Sequence, residues 1–153
     1  MTAGGRQLAG SLLHYGDAEP GDWFVTPVHT VTADDIDRFA DLSGDRLEIH
    51  MSDAAARELG FPSRVAHGLL VLAIVDGLKN RSVAQFAAIA SLGWEWKFEQ
   101  PVLVGDELRA RVTVLSKRKT SKPDRGILEL DFEVLNQDGA RVQSGRNKLM
   151  VKR

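Results

Sequence analysis

The spacing of hydrophobic and polar positions changes once along this chain, from a helical rhythm to a strand rhythm. In the first half, Ile36, Phe39 and Ala40 give one helical face behind Thr32-Ala-Asp-Asp35. Thr32 can cap that helix, and Asp34 and Asp35 complement its dipole. Ser43-Gly44 predicts its end. Ser52 to Leu59 predicts a second short helix closed by Gly60 and Phe61-Pro62. Then Leu69, Leu70, Val71, Leu72, Ala73, Ile74 and Val75 place apolar groups on every side of a helix. Such a helix, at about residues 66–79, is expected to be wrapped on most faces. From Ala90 onward the period becomes two. Trp94 and Trp96 alternate with Glu95 and Lys97, and Leu108, Ala110, Val112 and Val114 with Glu107, Arg109, Arg111 and Thr113. Leu128, Leu130, Phe132 and Val134 alternate with Glu129, Asp131 and Glu133, and a last strand runs roughly from Arg141 to Val151. Each reads as an antiparallel strand with one face in the core and one in water. Earlier, Phe24 to Thr32 suggests a strand that Pro27 marks as irregular or at an edge.

Helices first, strands later and one helix too apolar for a surface predict an α+β fold, a curved antiparallel sheet around a central helix. Residues 1–20, rich in Gly and small residues, read as a loosely ordered lead-in, with 21–153 as a single domain. Length fits that reading: 153 residues build a core without staples. With a net charge of −1, no basic field exists to attract nucleic acid or an anionic membrane. No cysteine is present, which removes disulfides, thiolate nucleophiles and Cys-based zinc sites. The histidines (His14, His29, His50, His67) form no HxH or HExxH pair, so no metal is expected. The longest apolar run, Leu69 to Val75, is far short of a membrane span. The first seventeen residues lack a secretory pattern, so the expected location is cytoplasmic.

The chemistry concentrates between Ala40 and Leu70. Asp45 and His50 stand five residues apart beside Gly44, and His67-Gly68 opens the apolar helix. A carboxylate and an imidazole can share a proton or hold a water between them. A helix start offers free N–H groups to a developing negative oxygen. The plain alternative is a Gly-Asp turn followed by a structural histidine on a strand edge. His67 by itself reads as structural, hydrogen-bonding a neighbouring loop. Trp94 and Trp96 read as sheet or interface packing. The basic stretch Lys117 to Lys122 reads as a solvated hairpin end, or as a contact for phosphates. Asp76, in an apolar helix, needs a partner if it is buried.

The segment Phe39-Ala-Asp-Leu-Ser-Gly-Asp-Arg-Leu-Glu-Ile-His50, followed by Phe61-Pro-Ser-Arg-Val-Ala-His-Gly-Leu-Leu70, resembles the MaoC-like (R)-specific enoyl-CoA hydratases of the hotdog fold. Trp94-Glu-Trp-Lys-Phe98, Pro101-Val-Leu-Val-Gly-Asp106 and Val134-Leu-Asn-Gln-Asp-Gly139 follow in the order such proteins show. The resemblance implies that Asp45 and His50 position a water for addition to C3 of a trans-2-enoyl thioester. It implies that the Gly68 N–H accepts the thioester oxygen, and that Ala66, His67 and Leu69 belong to the substrate-binding segment. It further implies reversibility, no cofactor beyond the coenzyme A or acyl-carrier thioester of the substrate, and a homodimer or higher homo-oligomer. Leu47-Glu48 stands where the family usually has Asn-Pro. That departure favours a second reading, a non-catalytic subunit that binds acyl thioesters. A hotdog thioesterase is a third, and no other acid is placed as its hydrolytic base.

Overall fold

The computed structural model describes residues 5–153. After a 3-10 turn (Tyr15–Asp17) come β1 (Trp23–Val25), β2 (His29–Thr30), α1 (Ala33–Ser43), α2 (Glu48–Met51), α3 (Asp53–Glu58) and α4 (Gly68–Asn80). The long strands follow: β3 (Ala88–Phe98), β4 (Glu107–Lys119), β5 (Arg125–Leu135) and β6 (Arg141–Lys152). They form one antiparallel sheet in the order β1-β4-β5-β6-β3, with β2 also on β4.

Local signals explain these elements. Thr32 Oγ1 accepts from the Asp35 N–H, and Asp35 Oδ2 accepts from the Thr32 N–H, both at 3.0 Å. This reciprocal cap starts α1. Gly44 ends it at φ 79°, a left-handed conformation that a side chain would oppose. The Phe24–Thr32 strand is broken into β1 and β2 by Thr26-Pro27-Val28. Alternation on β4 and β5 sends Leu108, Ala110, Val112, Leu128, Leu130, Phe132 and Val134 inward. They meet Leu70, Val71 and Val75 of α4 in the core. No helix among the described residues is long and apolar enough to cross a membrane.

Two expectations need correction. Of the lead-in expected at residues 1–20, residues 1–4 lie outside the described residues and 5–20 are not loose. Leu8 and Ala18 are buried, and the Leu8 N–H donates to Trp23 O at 2.7 Å, so this segment covers the β1 edge of the sheet. Asp22 fastens it by accepting from the N–H groups of Arg6 and Glu19. Burial pushes the Asp22 carboxyl up, yet those hydrogen bonds and the Arg6 guanidinium outweigh it and hold it below the usual range. Lys117 Nζ binds the same segment through Tyr15 O, Ala18 O and Glu19 Oε1, which removes this amine from the phosphate reading.

Second, β3 does not follow the one-face-buried pattern along its length. It is the other sheet edge and pairs with β6 alone, so only Trp94 and Trp96 are half-buried while Ile89, Leu92 and Phe98 stay exposed. The wrapping of α4 covers most of its faces and leaves one narrow side open. Leu70, Val71, Val75 and Leu78 are buried, but Leu69 is 60% exposed and Ala73 lies beside it on the open face. One edge is sealed; the other is bare.

Candidate active site

The site is assembled from the α1–α2 turn and the approach to α4. Gly44 reverses the chain after α1, and Asp45 follows with its N–H donating to Ser43 Oγ at 3.1 Å. Asp45 Oδ1 accepts from the Leu47 N–H at 3.3 Å, which leaves Oδ2 free. His50 stands on the single turn α2, rather than on a strand edge, and its ring is buried. Its Nδ1 lies 2.6 Å from Val65 O, a group that only accepts, so Nδ1 carries the proton. In that tautomer Nε2 presents its lone pair, 4.0 Å from Asp45 Oδ2.

That separation is too long for a direct hydrogen bond. One water donating to two acceptors at ordinary hydrogen-bond lengths would hold them roughly 4–4.5 Å apart. The pair is thus spaced to grip a water through both of its protons. Asp45 is 39% exposed, so solvent reaches it. Glu48 is exposed and turned away, and Leu47 starts α2 without a side-chain cap. The two departures from the family pattern change the surface of this turn and leave the pair in place.

Arg64, which the sequence did not single out, braces this turn. Its Nε donates to His50 O at 2.7 Å, its backbone N–H to Asp53 Oδ1 at 2.9 Å, and its Nη2 to Asp37 Oδ1. These partners lie 11 to 27 residues away, beyond any local spacing rule.

His67 ties the pair to the helix start. Nε2–H donates to Asp45 O at 2.8 Å, and the ring stacks on His50 with centroids 4.0 Å apart. Phe39 packs against it at 4.9 Å. Desolvation holds the His67 imidazole below its usual range, against the pull of the Asp45 carbonyl. With 1% exposure it is a structural brace, as its residue type suggested, and is not on the cavity wall. Leu69 is not on that wall either, because it projects outward on the open face of α4.

Asp45, His50 and His67 bring three potential metal-ligating atoms within 4.8 Å of one another. However, His50 Nδ1 and His67 Nε2 already donate to carbonyls, and the rings are inclined by only 28°. The two remaining lone pairs, on His50 Nε2 and His67 Nδ1, lie in stacked ring planes.

Beside the pair lies a cavity of about 360 Å³. Ile49, Phe61, Val65, Phe98 and Val102 make its apolar wall; Ala66, Gly68 and Gln143 also line it, with the 99–101 segment at one side. Asp45 and His50 adjoin the cavity through Ile49 and Val65 without lining it. α4 starts at Gly68 with no side-chain cap, so the protein itself does not claim its first-turn N–H groups. A Cβ at Gly68 would come within 2.4 Å of the Phe98 ring, so only glycine admits this close approach.

The sequence model of the MaoC like domain matches residues 17–132. The Klebsiella aerogenes protein MaoC is 39% identical over 113 residues, 73% of this chain and 33% of that protein. This chain therefore spans about a third of that relative's length. The (R)-specific enoyl-CoA hydratase of Aeromonas caviae is 32% identical over 113 residues, 74% of this chain and 81% of the hydratase. Among solved structures, a MaoC-like dehydratase from Rhodospirillum rubrum superposes with a TM-score of 0.84 at 34% identity, covering 92% of this chain and 97% of that one. The architecture is the hotdog fold.

Proposed function

The chain belongs to the MaoC-like domain family, and on that premise we propose that it reversibly adds water to a trans-2-enoyl thioester, giving the (R)-3-hydroxyacyl thioester. The observation that carries this reading is the 4.0 Å gap between His50 Nε2 and Asp45 Oδ2, with the His50 tautomer set by Val65 O. A water held there by both acceptors is polarised toward hydroxide. As one proton passes from the water to the Asp45–His50 pair, its oxygen adds to C3 and the C2=C3 π pair moves toward the carbonyl. The thioester oxygen then becomes an enolate oxygen, which the Gly68 N–H stabilises at the positive end of α4. Return of the proton to C2 completes the addition, so H and OH are both delivered and nothing is oxidised. Dehydration runs the same steps backward. The cavity wall of Ile49, Phe61, Val65 and Val102 suits an acyl chain, and the substrate's own carrier is the sole cofactor proposed.

Two exposed features support a homo-oligomer. β3 offers eleven residues of unpaired sheet edge, and the open face of α4 carries Leu69 and Ala73. Unpaired edges of this length favour pairing with another strand. A second copy joined at β3 would cover both.

The test is loss of enoyl-thioester absorbance with crotonyl-CoA and longer enoyl-CoAs, for wild type, Asp45→Asn and His50→Asn. Turnover by wild type and its collapse in both variants is expected. Wild type as inert as the variants while still binding acyl-CoA would overturn the enzyme reading in favour of a non-catalytic thioester-binding subunit. Release of free thiol would indicate a thioesterase.

A further inference from the structure

The start of α4 raises a mechanical problem. Gly68 has the loosest backbone of any residue type, and no side chain caps the helix there. An N–H that must meet a developing oxyanion needs a fixed direction before the reaction begins. The sheet supplies what the helix lacks. Phe98 and Gln143 are directly opposed on β3 and β6, facing the helix start. The Phe98 ring occupies the space where Gly68 would carry a Cβ. Gln143, 2% exposed, donates from Nε2 to Gly68 O at 3.2 Å.

The orientation of this amide follows from chemistry on both sides. Trp96 Nε1–H, which can only donate, lies 2.6 Å from Gln143 Oε1. Gly68 O can only accept, so the NH2 group must face it. Trp96 reaches Gln143 because its register partner is Gly145, which has no side chain in the way. A Cβ at position 145 would lie 2.0 Å from Glu95 O and 2.6 Å from the Trp96 ring. Trp96 is in turn held by Trp94 and Phe132, at 5.4 and 5.8 Å between ring centroids.

We propose that Gln143, its amide locked by the Trp96 indole, is a positioning residue that fixes the Gly68 turn for oxyanion donation. The proposal rests on the hydratase reading above. It assigns a catalytic consequence, exerted through Gly68, to Gln143 on the cavity wall and to Trp96 behind it. A buried glutamine kept only for packing would tolerate a chain of equal size. One kept for direction would not.

The test uses the full-length chain with crotonyl-CoA. Trp96→Phe keeps an aromatic ring against Trp94 and Phe132 and removes a single N–H. Misalignment of one oxyanion donor should lower kcat about tenfold, less than its outright loss, with KM within twofold and the melting temperature unchanged. Gln143→Met, similar in size, should lose as much or more. Gln143→Glu gives the decisive readout. Its ionised carboxylate would oppose Gly68 O, whereas the neutral acid can accept from Trp96 and donate to Gly68 O. Its activity relative to wild type, taken at each pH, should therefore recover as pH falls. If Trp96→Phe and Gln143→Met match wild type in kcat, or the Gln143→Glu ratio is flat with pH, the positioning role is wrong while the hydratase reading stands. If wild type itself is inert, the hydratase reading falls and takes this role with it.

Discussion

Gln143 and Asn147 are both buried amides, four residues apart on the inward face of β6, and they reach opposite ends of α4. At the C-terminal end the buried polar side chains pair with one another. Asn147 Nδ2 donates to Ser91 Oγ at 2.7 Å and to Gly93 O at 3.0 Å, and Oδ1 faces Lys79 Nζ at 3.4 Å. Lys79, 3% exposed, pairs with Asp76 Oδ1 at 2.9 Å and lies over the Trp94 ring. Asp76 thus has its partner one turn away. At the N-terminal end the carbonyl of Gly68 is held, but the first-turn N–H groups are left to a cavity. Two side-chain amides on the same strand are thus placed differently: Asn147 closes a buried network, whereas on the proposed hydratase reading Gln143 serves chemistry where the network stays open. On that reading the unspent donors mark the reactive end.

Separate substitutions should break the two ends independently. Asp45→Asn removes the carboxylate from the reactive end and should lower kcat/KM by roughly 10²–10⁴-fold, the range of a general acid–base contribution. Its melting temperature should stay near wild type, since Asp45 is partly exposed; a matching loss of stability would show that the two ends are not separable. Asn147→Leu is the converse. It removes the amide's bonds to Ser91 Oγ, Gly93 O and Lys79 Nζ and buries an apolar chain beside that ammonium, and should cost about 1–3 kcal/mol in urea unfolding. Enoyl-thioester hydration by that variant should stay within twofold of wild type.

Gly68→Ala sharpens the contrast within the reactive end. The new methyl meets the Phe98 ring, whose exposed side chain can swing away, so stability should change by no more than about 1 kcal/mol. The displaced ring and shifted helix start should still lower kcat/KM by roughly 10–100-fold, the cost of a misplaced reacting geometry. Equal effects on folding and catalysis would refute that separation.

The smallest effect concerns pH. Burial lowers the His67 pKa in the folded state, so the unfolded chain takes up the proton first as pH falls. Stability contributed by the neutral ring is full above the ordinary histidine range near 6.5 and declines as pH drops through it. The slope cannot exceed about 1.4 kcal/mol per pH unit for one group. His67→Gln, which keeps a donor for Asp45 O, should flatten this slope in urea titrations between about pH 7 and pH 5.

Much of the machinery was legible in sequence where the physics is local. Thr32 to Asp35 and Gly44 bounded α1 because caps and left-handed turns act within a few residues. Asp45, His50 and Gly68 were readable because a turn and a helix start hold them in one short stretch. The burial of strands β4 and β5 followed from alternation, since each has a neighbour on both sides. On β3 it held for Trp94 and Trp96, which pack against the core, but not for Ile89, Leu92 and Phe98, which meet solvent on this edge strand. It failed on residues 5–20, whose small and polar composition hid the docking of Leu8 and Ala18 against the sheet. His67 and Leu69 are adjacent to Gly68 in sequence, yet one stacks inside and the other points out, as the turn of a helix dictates.

By itself, then, the sequence determined the helix-to-strand order, the apolar α4, and the acid, the imidazole and the glycine of the candidate site. Tertiary structure alone decided that Arg64 braces His50, that Trp96 aims Gln143 at Gly68, and that Asn147 rather than Gln143 closes its network. The physical reason is range. Propensity, capping and periodicity act over a few residues, whereas the contacts that orient a buried polar group here span 14 to 75 positions and exist only once the sheet has closed over the helix.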